Sequence, residues 1–188
     1  MIYTTLNRIH RHSPCPNGWR VLLEHLGKKK GDREPVSFSA VLICYGLYDA
    51  LLCTRAEPKY ARKWRLFGVW CARKVQHLMD DPRSIAAIDV AERYAHGNAT
   101  DDELEAAHTE SWKAVQEAPS GTASAAARES AHGTTYSDAS LSAYHAAIAA
   151  PYAIAKCATR PVESDTFMQA AIDEQASQFL RVVLEIEE

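Results

Sequence analysis

Residues Tyr60 to Trp112 constrain the fold most, because they carry start and stop signals for three consecutive helices. Tyr60, Trp64, Phe67, Cys71, Val75 and Leu78 recur at steps of 4, 3, 4, 4 and 3, which places six apolar side chains on one face of a helix. Arg62, Lys63, Arg65, Arg73 and Lys74 fall mostly off that stripe. Trp70 widens it, so this helix is expected to be covered on two sides. Asp81-Pro82 restarts the chain with a capping carboxylate followed by proline at the first helical position, where no N–H is needed. Ile85, Ile88, Ala91 and Ala95 supply the inner face of this second helix, and Gly97 its left-handed stop. Thr100-Asp101-Asp102-Glu103 is a capping box with two further acids facing the positive end of the helix dipole. Leu104, Ala107, His108, Ser111 and Val115 form the inner face of that third helix, and Pro119 ends it.

The rest of the chain reads the same way. Leu6 and Ile9 fit a short opening helix. Asn17 is the expected N-cap of a helix from Gly18 to Leu26, stopped by Gly27. Ser37 caps a run through Val41 and Tyr45 that ends at Gly46, and a second short run follows to Thr54. The Val36–Tyr45 stretch also suits a strand, but it has no visible partner, so helix is preferred. Beyond Pro119 a helix runs from about Ser120 to Ala131, and Gly133 to Thr135 form a loop. Asp138 or Ser140 opens a longer helix with Leu141, Tyr144, Ile148 and Tyr152 on one face, and Pro151 is expected to kink it near Ala147. Arg160-Pro161 ends that helix, and Ser164 to Thr166 start the last one, with Phe167, Ala171, Phe179, Val183 and Ile186 in phase. The expectation is an all-α protein, a compact orthogonal or antiparallel bundle of about eight to nine helices. It forms a single domain over 1–188, with 1–58 as an N-terminal helical subdomain or arm and 59–188 as the main bundle.

Charge and alanine are unevenly spread. Residues 1–84 hold 15 Lys and Arg against 7 Asp and Glu, whereas residues 85–188 hold 6 against 17. This implies a basic and an acidic surface on one body. Alanine rises from 5 in residues 1–84 to 23 in residues 85–158, so the later helices are expected to pack with close axes. No run of eighteen apolar residues is present and MIYTTLNRIHRH lacks a signal-type apolar core, so no membrane span is expected. Cys15, Cys44, Cys53, Cys71 and Cys157 are odd in number and scattered, which favours reduced thiols in the cytoplasm.

No reaction is spelled out. GxSxG, GxxxxGK[ST], GxGxxG and HExxH are absent, so an enzyme is the weaker class and no catalytic residue or cofactor is assigned. His12-x-x-Cys15 has a spacing that metal ligands use, but a structural zinc needs four ligands, so no metal is assigned either. His108, His132 and His145 sit on three different predicted helices. They could converge as an acid/base or pH-sensitive group, as a small His-based hydrolase would need, but three unrelated histidines are preferred, since spacing does not align helices. The clearest interaction signals are the cations Lys28, Lys29, Lys30, Arg33, Lys59, Arg62, Lys63 and Arg65, and the acids Asp101, Asp102 and Glu105. A solvated face is the ordinary reading of such charge runs. Tyr60 and Trp64 interleave the cations as in nucleic-acid binders, but both are in phase with the core stripe. The acidic helices 100–118 and 163–188 argue against a dedicated nucleic-acid binder and suit a basic partner surface.

Phe67-Gly68-Val69-Trp70-Cys71-Ala72-Arg73, Asp81-Pro82-Arg83 with Ile85-Ala86-Ala87, and Ala91-Glu92-Arg93-Tyr94-Ala95-His96-Gly97 together resemble the immunity-protein family of bacteria and phages. Ala131-His132 and Tyr144-His145-Ala146 fit the same alanine-rich pattern. The opening, with Thr4-Thr5-Leu6-Asn7-Arg8-Ile9, Ser13-Pro14-Cys15, His25-Leu26-Gly27-Lys28 and Gly46-Leu47-Tyr48-Asp49-Ala50-Leu51, is similar to alanine-rich phage and prophage proteins. Pro151 and the lack of tryptophan past Trp112 depart from that pattern. The resemblance implies an all-helical, non-enzymatic protein of the bacterial cytoplasm. It would neutralise an effector or an antiviral defence complex, CRISPR complexes included, by contact with a bacterial protein or nucleoprotein. A homodimer is compatible with it, and a nucleic-acid-binding regulator is the alternative.

Overall fold

The computed structural model describes residues 1–158 and 161–185. A short strand β1 (Tyr3–Thr5) leads into helix α1 (Leu6–His10), then α2 (Pro16–His25), strand β2 (Pro35–Ser37) and α3 (Phe38–Cys53). There follow α4 (Ala61–Lys74), α5 (Pro82–Ala95), α6 (Asp101–Gln116), α7 (Ala123–Gly133), α8 (Ala139–Ala155) and α9 (Pro161–Leu184). The all-α architecture expected from the sequence is therefore present, with nine α-helices among the described residues. The addition is one two-stranded antiparallel pair, in which Thr4 opposes Val36. Val36, in the stretch that also suits a strand, thus finds its partner about thirty residues earlier, and three-residue strands are too short for an alternating pattern to announce that pairing.

The caps form largely as read. Asp81 accepts from the Arg83 N–H with Pro82 at the first helical position, and Thr100 and Glu103 complete a reciprocal capping box. Ser37, Thr122 and Asp138 cap α3, α7 and α8. Two starts differ. Pro16 takes the first position of α2, so Cys15 rather than Asn17 is the N-cap residue. Helix α9 begins at Pro161, three residues before the expected Ser164. The expected stop at Arg160 and the inward Ile186 lie outside the described residues. Gly46 interrupts α3 with φ 72° and ψ 175°, a conformation open essentially to glycine alone. By length and composition the Phe38–Ala56 stretch could cross a membrane, although it holds no unbroken run of eighteen apolar residues. In this fold Phe38, Val41, Ala50 and Leu51 are all buried in the common core.

One hydrophobic cluster runs from Ile2 to Val183. Its aromatic half joins α3, α4 and α9: Phe38 meets Trp64 at 5.6 Å, Trp64 meets Phe179 at 6.0 Å, and Phe67 meets Phe179 at 5.4 Å between ring centroids. The first residues are tied into it, because the Ile2 N–H donates to the Val183 carbonyl and the Ile2 carbonyl accepts from Phe38. All five cysteines are free, with Cys53 and Cys71 buried.

The other half centres on α8, which packs against α3, α4, α7 and α9. Its buried side chains include Ala143, Ala146, Ala147, Ala150 and Ala153, but not the expected Leu141, Tyr144, Ile148 and Tyr152; Tyr152 is 52% exposed. The reason is geometric: a helix enclosed on several sides needs small residues where its neighbours approach, and its large residues take the remaining outer ridge. Gly68 of α4 and Gly133 of α7 mark the approaches. A Cβ on Gly68 would lie 3.1 Å from the Ala143 Cα, and one on Gly133 would lie 2.6 Å from the Ala146 nitrogen. Gly133→Ala should therefore destabilise the fold by about 1–3 kcal/mol. Urea or thermal denaturation checks this, and an unchanged midpoint would contradict the close approach.

Candidate functional site

Arg65 was expected on the basic surface, but it is 2% exposed. On α4 it faces the connection between α7 and α8, on the second covered side of the helix. Its Nη1 donates to the carbonyls of Thr134 at 2.9 Å and Tyr136 at 2.7 Å, and its Nη2 donates to that of Ser137 at 2.8 Å. Thr134 is the C-cap of α7, so the cation also meets the negative end of a helix dipole. The guanidinium carbon lies 4.9 Å from the centre of the Tyr94 ring. The Tyr94 hydroxyl in turn donates to Asp101 at 2.7 Å. Burial pulls the Arg65 pKa below the ordinary arginine value, with Tyr94 and Asp138 opposing the shift. Arg65 is thus a positioning residue that fixes the short loop carrying Tyr136.

Tyr136 is the centre of a ring cluster. It stacks on His145 at 4.5 Å with 10° between the planes, and meets His108 edge-on at 5.1 Å and His132 at 5.6 Å. His108 and His132 are 4.3 Å apart, and Trp112 lies 5.1 Å from His132. The three histidines, expected to be unrelated, are therefore drawn together by the close packing of α6, α7 and α8. The tautomers of His108 and His132 follow from proton counting. The Thr135 hydroxyl donates to the His132 carbonyl at 2.6 Å and so accepts from His108 Nδ1 at 2.9 Å. The Ser111 hydroxyl donates to the His108 carbonyl at 3.0 Å and so accepts from His132 Nδ1 at 3.0 Å. His108 and His132 therefore keep the proton on Nδ1 and leave Nε2 as an acceptor.

Burial lowers the pKa of all three histidines. His132 falls to about 4, through burial first and the neighbouring His108 second. His108 and His145 shift in the same direction, with Glu105 opposing the shift at His108. All three are uncharged at neutral pH.

Two cavities flank Tyr136. One, of about 360 Å³, is lined by Tyr94, Asp101, Glu105, His108 and Tyr136. The other, of about 310 Å³, is lined by Trp112, Glu129, His132, Tyr136 and His145. Asp101, Glu105, His108 and Trp112 follow one another along α6 at steps of 4, 3 and 4, so they form one stripe that ends in a tryptophan 47% exposed. Asp102 is exposed on the same helix but lines neither cavity. Trp112, Glu129, Tyr136 and Tyr94 were not read from the sequence as site residues. The α6 spacing is the one signal that could have shown Trp112, and it was masked by the inward stripe beside it.

The cations do not gather into one such surface. Lys28 binds Asp32, and Glu34 at 2.6 Å, and these bonds raise its pKa. Arg62 contacts His96 Nδ1 at 2.8 Å, Lys63 donates to Glu185 at 3.0 Å, and Lys59 sits over the Tyr60 ring at 4.9 Å. Lys29, Lys30 and Arg33 are exposed in the loop between α2 and β2. Among the described residues no group of three or more His, Cys, Asp and Glu side chains is placed to hold a metal ion. His12 and Cys15 line a small cavity beside Arg55. Comparison with protein-family models, curated proteins and solved structures finds no match to this chain.

Two outcomes follow from this geometry. Arg65→Met removes the donor from the Tyr136 and Ser137 carbonyls and should cost about 3 kcal/mol in denaturant unfolding; a loss below about 1 kcal/mol would contradict the clamp. The folded-state pKa of His132 lies below its unfolded value near 6.5, so unfolding takes up a proton between these two values. Stability is complete above about pH 6.5 and falls as pH drops towards about 4. In thermal melts over that window His132→Asn, which keeps a partner for Ser111, should lose less stability than the parent chain. Parallel curves would contradict the assignment.

Proposed function

We propose that this chain is a non-enzymatic binding protein that uses the acidic and aromatic face of α6, α7 and α8 to grip a basic surface on another protein. The observation that carries this reading is the α6 stripe, in which Asp101 and Glu105 lead to a half-exposed Trp112 beside Tyr136. Exposed tryptophan ringed by charge is the composition of interface hot spots, and tryptophan and tyrosine give large contact area at little entropic cost. The carboxylates would steer a cationic partner and fix its register. The resemblance of the sequence to immunity proteins of bacteria and phages supports the further reading. In it, the partner is an effector or defence complex of the bacterial cytoplasm, and binding inhibits it. The nucleic-acid alternative is weaker, because Arg65 is buried and Lys28, Lys63 and Arg62 already have partners.

Affinity capture from a bacterial host lysate tests it. The parent chain should retain a stoichiometric protein partner, and the pair Asp101→Asn with Glu105→Gln should lose it by at least about tenfold in affinity. Lys29→Ala with Lys30→Ala and Arg33→Ala should retain it. Loss with the lysine and arginine changes but not with the acidic ones, or recovery of nucleic acid alone, would refute the reading.

A further inference from the structure

We propose that the cavity walled by Trp112, His132, Tyr136 and His145, with Glu129 at its mouth, is the seat of an arginine side chain from a protein partner. This rests on the reading that the α6–α8 face binds protein, and it names the group that is recognised. Three helices build the slot, each through residues one turn apart: Trp112 and Val115 on α6, Glu129 and His132 on α7, His145 and Ile148 on α8. Its volume, about 310 Å³, suits a side chain rather than a whole helix.

The chemistry selects a planar cation. Aromatic faces attract cations through their ring quadrupoles, most strongly at tryptophan. Glu129 is exposed and lines the slot, with no ion pair or hydrogen bond among the described residues, so its carboxylate is available at the mouth. His132 and His145 are uncharged at neutral pH, so the walls do not repel a positive group. Because the His132 proton is held on Nδ1 by Ser111, its Nε2 is an acceptor for an N–H. A guanidinium uses all of these at once: it stacks on a ring, takes a carboxylate through two parallel N–H bonds, and offers further N–H donors. An ammonium offers no plane to stack and no fork. The neighbouring cavity beyond Tyr136 holds Asp101 and Glu105, so the surroundings of the slot favour a cationic segment as well.

Titration of the isotope-labelled full chain with acetyl-Gly-Arg-Gly-amide, followed by NMR, tests the proposal. The lysine and citrulline counterparts serve as comparisons. The Trp112 indole N–H and the His132 and His145 ring signals should shift saturably with the arginine peptide. Citrulline, which keeps the shape without the charge, should bind at least about tenfold more weakly, and lysine should also bind more weakly. Glu129→Gln, an exposed change that the fold tolerates, should weaken the arginine peptide by at least about fivefold. Absence of saturation up to tens of millimolar, equal binding of citrulline or lysine, or indifference to Glu129→Gln would each overturn it. If the peptide fails while the Asp101 and Glu105 changes still abolish partner capture, this inference falls and the proposed function stands. Saturable arginine binding in a chain whose capture ignores Asp101 and Glu105 leaves the slot standing and removes the proposed function.

Discussion

The candidate face depends on one buried cation. Arg65 leaves water without a carboxylate partner and is held by three carbonyls of the α7–α8 connection and by the Tyr94 ring. A buried charge is tolerated only when its donors are satisfied, so the connection is bound to a single conformation. Through it α4 fixes where α7 stops, where α8 starts and where Tyr136 sits. Through Tyr94 and Asp101 the same residue connects to α5 and the first turn of α6. A second mostly buried arginine, Arg128, performs a similar service further along, joining Asp80 to the Ala114 carbonyl at the end of α6.

Close packing supplies the rest. Gly68 and Gly133 let α4 and α7 approach the alanine face of α8. Hydroxyl groups of Ser130 and Ser142 bond backbone carbonyls across the α7–α8 seam, so these two buried hydroxyls are satisfied without charge. With alanine taking the interior, the bulkier groups of α6, α7 and α8 are displaced to the outside, where Trp112, Tyr136 and His145 become a surface. The same small residues that make the bundle tight therefore make the aromatic face available.

Much of the fold was legible because its signals are local. Asp81-Pro82, Thr100 to Glu103 and Gly46 act within one turn of themselves, and the Trp64, Phe67, Cys71 stripe needs only the helical period. What was not legible depends on neighbours far along the chain. Arg65 carries no mark that separates it from Arg62, yet one is buried and the other exposed. The large residues of α8 looked like its core, because periodicity does not reveal that the helix is enclosed by four others. His108, His132 and His145 meet through helix alignment, which spacing does not encode. Of the site residues read from the sequence, Asp101 and Glu105 line the flanking cavity, while the cations are dispersed or paired.

The most direct measurement replaces Trp112, and separately Lys30, with a photo-crosslinking amino acid in the full chain and irradiates it in bacterial cells. Position 112 should form one dominant protein adduct, joined to a stretch that carries arginine, while position 30 should form none in comparable yield. Adducts from position 30 to protein or nucleic acid, with position 112 silent, would contradict the account.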